Sequence, residues 1–144
     1  MPKIHVPRQY HADSYYHIFS RGLRKEAIFR SDKDYWIFRR YLKAVLRERS
    51  GSISLVAYAL LENHYHLLIH QKSERAFSSF MKSLIARYRM FIKEKYLIDG
   101  PYFEGTFKAI YLPHREDVER ERTYILRNPI VAGLKGWKHV GFDP

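Results

Sequence analysis

Two amphipathic segments constrain the fold of this chain most, because each of them lies between stretches of strand length. Residues 32–48 predict the first helix, in which apolar side chains recur at helical spacing: Tyr35, Phe38, Leu42 and Val45. Ser31 precedes this helix as a candidate N-cap, with Asp34 three residues later. Residues 74–95 predict the second helix, with an apolar stripe formed by Phe77, Phe80, Met81, Leu84, Ile85 and Tyr88.

Four other stretches have the length and composition of β-strands. The first, residues 15–20, is rich in aromatic side chains and ends at Arg21-Gly22. Residues 53–60 and 64–71 are mostly apolar and are separated by Glu62-Asn63, so they predict an antiparallel hairpin. Residues 107–112 come after the turn at Asp99-Gly100-Pro101 and predict a fourth strand.

A third, strongly charged helix is predicted from about Arg115 to Asn128. We expect it to end there because Pro129 lacks an amide donor and restricts the residue before it. The order β-α-β-β-α-β-α is the split βαβ, ferredoxin-like plan with one helix added. We therefore expect an α+β fold with an antiparallel four-stranded sheet and an added C-terminal helix. Residues 1–13 are expected to form an irregular basic arm, and the tail a loop containing Gly133, Gly136 and Trp137.

The length of 144 residues suits one domain, which we expect to span residues 1–144. Lys and Arg number 26 against 15 Asp and Glu, which gives a net charge of +11, and 12 residues are Tyr. Basic groups neutralise phosphates and aromatic faces stack on exposed bases, so this composition favours single-stranded nucleic acid as the partner. The charge is spread along the chain, which argues against a basic amphipathic helix that binds membranes.

Several sequence features are absent, and each absence excludes a class of protein or of site. The chain has no cysteine, which excludes a disulfide framework and a thiolate zinc site. No apolar run approaches membrane-spanning length, so we expect no membrane partner. Residues 1–7 lack the apolar region of a signal peptide, and we expect a cytoplasmic protein. No glycine-rich phosphate loop or Gly-x-Ser-x-Gly motif is present.

His64 and His66 flank Tyr65 on the second strand of the predicted hairpin. Alternate side chains of a strand share a face, so both imidazoles point the same way and can bind one divalent metal ion. His70 shares that face but lies about 13 Å further along the strand, at roughly 3.3 Å per residue. Two ordinary surface histidines would have the same spacing, so the pattern alone leaves both interpretations open.

Tyr124 and Asn128 are four residues apart on the last predicted helix and therefore share a face. The Asn128 amide oxygen can add a hard ligand to a two-histidine metal site, and Tyr124 can present its phenol beside the metal as a nucleophile. A phenol has a pKa near ~10 and attacks a phosphate at neutral pH only with such help. Purely structural roles are the alternative, since most of the 12 tyrosines must be structural and Asn128 can simply end a helix before Pro129.

Weaker candidates lie next to both pairs. Glu62 and Asn63 can orient the histidines from outside the metal site, although a polar turn accounts for them more simply. Arg120 and Arg127 can hold phosphates near Tyr124, but solvated helix charges are the usual case.

Four segments together resemble the REP-associated tyrosine transposases, relatives of the single-tyrosine transposases of the HUH superfamily, in which U is a hydrophobic residue. They are YYHIFSRG at residues 15–22, similar to the family's first strand; LLENHYHLLI at 60–69, similar to its motif strand; GPYFEGTFKA at 100–109, similar to the segment before its last strand; and YILRNPIVAGL at 124–134, similar to its tyrosine helix with an Asn-Pro ending. The resemblance spans about residues 10–138. Tyr65 departs from the motif, where an aliphatic residue is more usual.

The resemblance implies a site and a reaction. His64 and His66 would be ligands of Mg²⁺ or Mn²⁺, Asn128 a third polar ligand, and Tyr124 the nucleophile. Attack on single-stranded DNA beside a hairpin-forming repeat would leave a 5′-phosphotyrosine and a free 3′-hydroxyl, and the reverse attack would rejoin strands. A monomer and a homodimer both stay open, as does whether Tyr124 serves its own histidines. Because the chain ends soon after Trp137, we expect no regulatory C-terminal extension.

Two other functions stay open from the sequence. The same fold can bind single-stranded nucleic acid without chemistry, as a non-catalytic module. A metal-dependent phosphohydrolase would use water and form no covalent intermediate. A DNA adduct that survives denaturation separates both from a DNA-nicking and strand-joining transposase.

Overall fold

The structure, a computed structural model, describes residues 10–131 and 140–141 of the chain. Its elements are β1 (Ser14–Arg21), α1 (Asp32–Glu48), β2 (Ile53–Leu61), β3 (His64–Gln71), α2 (Ala76–Tyr96), β4 (Lys108–Leu112), α3 (Arg115–Val131) and β5 (Val140–Gly141). A short 3-10 turn, Leu23–Lys25, follows β1. The predicted order of strands and helices is confirmed. The predicted loop at Gly133, Gly136 and Trp137, and most of the predicted arm, lie outside the described residues.

The strands form one antiparallel sheet in the order β4-β1-β3-β2-β5. The first four of these strands have the predicted ferredoxin-like arrangement. β5 adds two residues at the edge, opposite Tyr58 and Ala59 of β2. In the centre of the sheet, Phe19 of β1 lies opposite His66 of β3.

A buried carboxylate joins α1 to α2. The N-cap of α1 forms as predicted, with the Ser31 hydroxyl accepting from the Asp34 amide at 3.4 Å. The Asp34 side chain is itself fully buried and accepts hydrogen bonds from Lys95 Nζ at 2.8 Å, from the Tyr96 hydroxyl at 2.6 Å and from the Arg30 amide at 2.8 Å. These bonds compensate a charge that would otherwise be costly to bury.

The predicted end of the last helix at Asn128 is wrong, because α3 continues through Pro129 to Val131. Proline fixes φ near −65°, which a helix accommodates, and its missing amide removes only one hydrogen bond. Since Pro129 lies in the last turn of α3, little of the helix remains for that loss to disturb.

Helices cover both faces of the sheet. Tyr65, Leu67 and Ile69 of β3 point into the larger core, which contains the apolar faces of α1 and α2. On the opposite face, Leu68 packs with Val118 and Ile125 of α3. Side chains of β3 alternate between faces, so His64 and His66 lie on the side of α3. No helix in the described part of the chain is long and apolar enough to cross a membrane.

Candidate active site

β3 presents His64 and His66 together, as their alternation predicts. Their ring centroids are 5.0 Å apart and the ring planes are nearly perpendicular, at 87°. Burial, then the neighbouring His17 and His64, lowers the pKa of His66 to about 3. Burial and then the Arg21 charge lower the pKa of His64 as well. Both rings are therefore neutral at neutral pH, which is the form that binds metal ions.

His17 of β1 adds a third imidazole, which the sequence analysis did not select. Its Nε2 atom is 2.9 Å from Nδ1 of His66, and its Nδ1 atom is 2.6 Å from Oε1 of Glu121 on α3. Burial lowers the pKa of His17 and outweighs the Glu121 hydrogen bond, which raises it, so His17 is neutral. The three side chains therefore form a continuous hydrogen-bonded chain from α3 to β3.

The direction of this chain follows from its carboxylate end. An ionised carboxylate only accepts hydrogen bonds, so Nδ1–H of His17 donates to Glu121. Nε2 of neutral His17 must then accept, and Nδ1–H of His66 donates to it. His66 is thereby held in the tautomer whose Nε2 atom carries the lone pair.

Asn63 imposes the same tautomer on His64. The Asn63 amide nitrogen donates to the carbonyl of Lys25 at 3.2 Å, which fixes the orientation of the amide. Its Oδ1 atom lies 2.8 Å from Nδ1 of His64, and since an amide oxygen only accepts, Nδ1–H of His64 donates. The Nε2 atoms of both histidines therefore carry lone pairs.

These two nitrogens are of the kind that binds divalent metal ions. Nε2 of His66 is buried and has no hydrogen-bond partner among the described residues. A buried acceptor without a partner costs about 1–3 kcal/mol, which a metal ion would offset. Within residues 10–131 and 140–141, no cluster of three or more His, Cys, Asp or Glu side chains is arranged to hold a metal. Further ligands would come from an amide, water or the substrate.

Tyr124 of α3 lies beside the histidines. Its ring centroid is 5.9 Å from that of His66 and 6.5 Å from that of His17, edge-on in both cases. Its side chain is 52% exposed, whereas most of the 12 tyrosines are buried or half-buried. Tyr111 is also exposed, but its ring stacks on His11 at 4.3 Å. The structure thus brings Tyr124 and the two predicted metal ligands together.

Asn128 lies one turn beyond Tyr124 on the same helix and is half-buried. Its side chain makes no hydrogen bond within the described part of the chain. The prediction that Asn128 is a metal ligand therefore stays a prediction, supported by its position on the face of Tyr124.

A basic groove of about 480 Å³ opens beside His64. Arg21, which lies opposite His64 across the strand pair, lines it together with Lys25, Lys108 and Glu104. Arg21 Nε is 2.7 Å from Glu104 Oε1. Three cations against one carboxylate leave the groove positive, which suits phosphates.

The fold has known relatives among solved structures. The structure of a REP-associated tyrosine transposase bound to a REP hairpin superposes with a TM-score of 0.73 at 17% sequence identity, over 94% of this chain and 76% of that one. This chain has the fold of a REP-associated tyrosine transposase. No protein-family model matches the sequence, and no curated protein sequence does.

Two other solved structures are also similar to this chain. A protein from Deinococcus radiodurans R1, provisionally assigned as a transposase, matches with a TM-score of 0.57 at 15% identity, over 86% of this chain and 95% of that one. A tRNA(His) guanylyltransferase from Saccharomyces cerevisiae matches with a TM-score of 0.54 at 12% identity, over 90% of this chain and 66% of that one.

Within this transposase fold, the weaker candidates have different positions. Asn63 contacts His64 as considered, whereas the Glu62 carbonyl accepts from the amides of Ile28 and Phe29 and stabilises the chain locally. Arg120 pairs with Asp117, and Arg127 is exposed. His70 pairs with Asp13 at 2.8 Å, away from the other two histidines.

The residues that sequence reasoning missed are His17 and Glu121. His17 is a lone imidazole among the aromatic and aliphatic residues 15–19 of β1, and Glu121 lies three residues before Tyr124 on the same helix face. Both features can be read from the sequence, but their contact depends on how α3 packs on the sheet.

Proposed function

We propose that this protein is a transposase-like enzyme that nicks and rejoins single-stranded DNA, with Tyr124 as the nucleophile. The observation that carries this proposal is the position of an exposed phenol beside a neutral histidine pair, of which His66 is buried and His64 half-buried. The likeness to a transposase bound to a REP hairpin supports single-stranded DNA with a hairpin as the substrate. The positive groove beside His64 supports the same substrate class.

In the proposed reaction, the Tyr124 oxygen attacks the phosphorus of a phosphodiester and the bond to the 3′-oxygen breaks. The phenol loses its proton to solvent and the leaving oxygen takes one up. The products are a 5′-phosphotyrosine and a free 3′-hydroxyl. Attack by a 3′-hydroxyl on the phosphotyrosine forms a new phosphodiester and releases Tyr124. No nucleotide cofactor is needed, because the phosphotyrosine retains the bond energy.

His64 and His66 would hold Mg²⁺ or Mn²⁺ through Nε2, with Asn128 as a third candidate ligand. When bound, the cation would neutralise negative charge that develops on the phosphate. Glu121, through His17, keeps Nε2 of His66 available for this role. Arg21 and the groove lysines would hold the strand by its phosphates.

A single chain contains both the tyrosine and the histidine pair of the proposed site. The contact between Tyr124 and His66 lies within one chain, so the reaction as proposed requires no second subunit. This supports use of Tyr124 with its own histidines, in a monomer or in a homodimer.

The test uses single strands that carry a hairpin and an unpaired flank, labelled at either end and incubated with the protein and Mn²⁺. We expect the 3′-labelled strand to migrate with the protein on a denaturing gel, and the 5′-labelled strand to be shortened. Cleavage without an adduct would point to a water-using phosphohydrolase. Binding without cleavage would point to a non-catalytic nucleic-acid-binding module.

A further inference from the structure

Tyr65 has a buried hydroxyl for which the described residues provide no hydrogen-bond partner of normal geometry. This residue lies between His64 and His66 but points to the opposite sheet face, where it is fully buried. Its hydroxyl and Nε2 of His66 are the buried side-chain polar atoms of the described residues that lack a partner. Ser20 lies directly opposite on β1, without forming a hydrogen bond of normal geometry to it. An aliphatic side chain would fill this position without such a cost.

Tyr65 and Ser20 line a cavity of about 290 Å³ between α2 and residues 101–107. The remaining walls are mostly apolar and aromatic, formed among others by Met81, Ile85, Tyr102, Phe103 and Phe107. This volume is just below the roughly 300 Å³ at which small-molecule sites begin. The cavity therefore suits one flat ring system that presents polar groups at its edge.

The cavity adjoins the basic groove beside His64. Ser20 and Thr106 line both spaces. Arg89 also lines the cavity, and its side chain is exposed and forms no ion pair within the described part of the chain. Because the two spaces share these residues, a nucleotide with its phosphate in the groove would have its base near the cavity.

We propose that this cavity reads one unpaired nucleobase of the bound DNA strand, turned out of its stack. The Tyr65 and Ser20 hydroxyls would hydrogen-bond the polar edge of the base, and the surrounding aromatic rings would pack against its faces. Arg89 would contact the backbone at the cavity mouth. The inference rests on the proposed function for the identity of the strand, but it requires binding only and no cleavage.

Two substitutions separate base reading from a structural role. Tyr65→Phe removes one oxygen and keeps the ring, so packing should survive. Because it removes an unpaired buried hydroxyl, we expect the free variant to melt no lower than the wild type. Tyr58→Phe is the matched control, since its hydroxyl is hydrogen-bonded to Arg39 and lies away from the cavity. Ser20→Ala tests the second hydroxyl independently.

The experiment measures the affinity of hairpin-bearing single strands without metal, with one unpaired nucleotide at a time made abasic. We expect one position at which the abasic change weakens wild-type binding roughly tenfold, as loss of base stacking predicts. At that position, changing the base should alter wild-type affinity about fivefold, as loss of one hydrogen bond predicts. The Tyr65→Phe and Ser20→Ala variants should lose this preference, and Tyr58→Phe should keep it.

The outcomes that overturn the inference differ from those that overturn the proposed function. An abasic scan without a sensitive position, or an unchanged base preference in Tyr65→Phe, would overturn base reading. Competition by free nucleosides at the affinity of the strand would assign the cavity to a mononucleotide and overturn it also. Base reading without any covalent adduct would leave the cavity assignment standing and refute the tyrosine mechanism.

Discussion

Nε2 of His17 lies 2.9 Å from Nδ1 of His66, and this contact connects a predicted metal ligand on β3 to the Glu121 carboxylate on the helix that carries Tyr124. Since the carboxylate only accepts hydrogen bonds, it determines the direction of both hydrogen bonds. Which nitrogen of His66 carries the lone pair is therefore determined by Glu121, a residue of α3.

Glu121→Gln should weaken metal binding although Glu121 is not expected to touch the metal. An amide can both donate and accept, so it no longer imposes one tautomer on His17 and His66. We expect Mn²⁺ affinity, measured by titration calorimetry, to fall roughly 10- to 100-fold. Glu119→Gln on the exposed side of the same helix should leave it unchanged. Wild-type affinity in the Glu121→Gln protein would disprove the relay.

His64→Ala and His66→Ala should each abolish metal-dependent cleavage while the fold is retained. Each removes one of the two neutral imidazoles that carry a free lone pair, so we expect activity to fall roughly 100-fold or more. His70→Ala is the control, because His70 belongs to the same strand face but pairs with Asp13. Full cleavage by the double variant of His64 and His66 would refute the metal site.

Tyr124→Phe should abolish both the adduct and the nick but preserve DNA and metal binding. The lost hydroxyl belongs to a half-exposed side chain, so unfolding free energy should change by no more than about 0.5 kcal/mol. Tyr111→Phe, at the other exposed tyrosine, should remain active. Mass spectrometry should find the nucleotide on the peptide that contains Tyr124. A nucleotide on Tyr111 instead would reassign the nucleophile.

DNA binding should weaken linearly on a log–log scale as salt increases. Each phosphate contact contributes roughly −0.7 to the slope for single strands, so Lys25→Ala and Lys108→Ala should each reduce its magnitude by about that amount. Lys43→Ala, at an exposed position of α1, should leave the slope as it is. Fluorescence anisotropy across a salt series measures the slope, and a flat dependence in the wild type would contradict the role of the groove.

Stability should depend on pH through Asp34. Burial alone would raise the pKa of this carboxyl, but the hydrogen bonds from Lys95, Tyr96 and the Arg30 amide lower it below its usual value. Because the folded pKa is the lower one, Asp34 contributes its full stability above the unfolded pKa of about 3.9 and loses it as pH falls through the folded pKa.

Asp34→Asn should therefore lower the free energy of unfolding by roughly 2 kcal/mol at neutral pH. Loss of a fully buried ion pair would cost more, but Lys95 is partly exposed. The difference from the wild type should shrink in acid. Urea unfolding at a series of pH values measures both effects. Asp99→Asn, at an exposed turn, should show no such difference, and a loss for Asp34→Asn that stays constant down to strong acid would count against this account.

The sequence predicted what depends on local pattern. α1 begins after Ser31 and spans the predicted residues, because an N-cap and a helical period act within a few residues. The shared face of His64 and His66 follows from strand alternation in the same way. Their contacts with His17 and Glu121 could not be predicted, since His17 and Glu121 are 104 residues apart and meet only where α3 packs on the sheet. β5 has two residues, too few for any periodicity.

Glu121 and Tyr124 are borne by one helix, three residues apart, and this has a mechanical consequence. Any movement that lifts α3 from the sheet withdraws the nucleophile and at the same moment frees His17, so His66 loses its imposed orientation. The proposed reaction needs Tyr124 beside the histidines and His66 in the correct tautomer. Both conditions therefore depend on the docking of α3 and are gained or lost together. If the proposed function holds, a site from which α3 is undocked would have neither a tyrosine within reach nor an oriented histidine ligand, and it would not nick DNA.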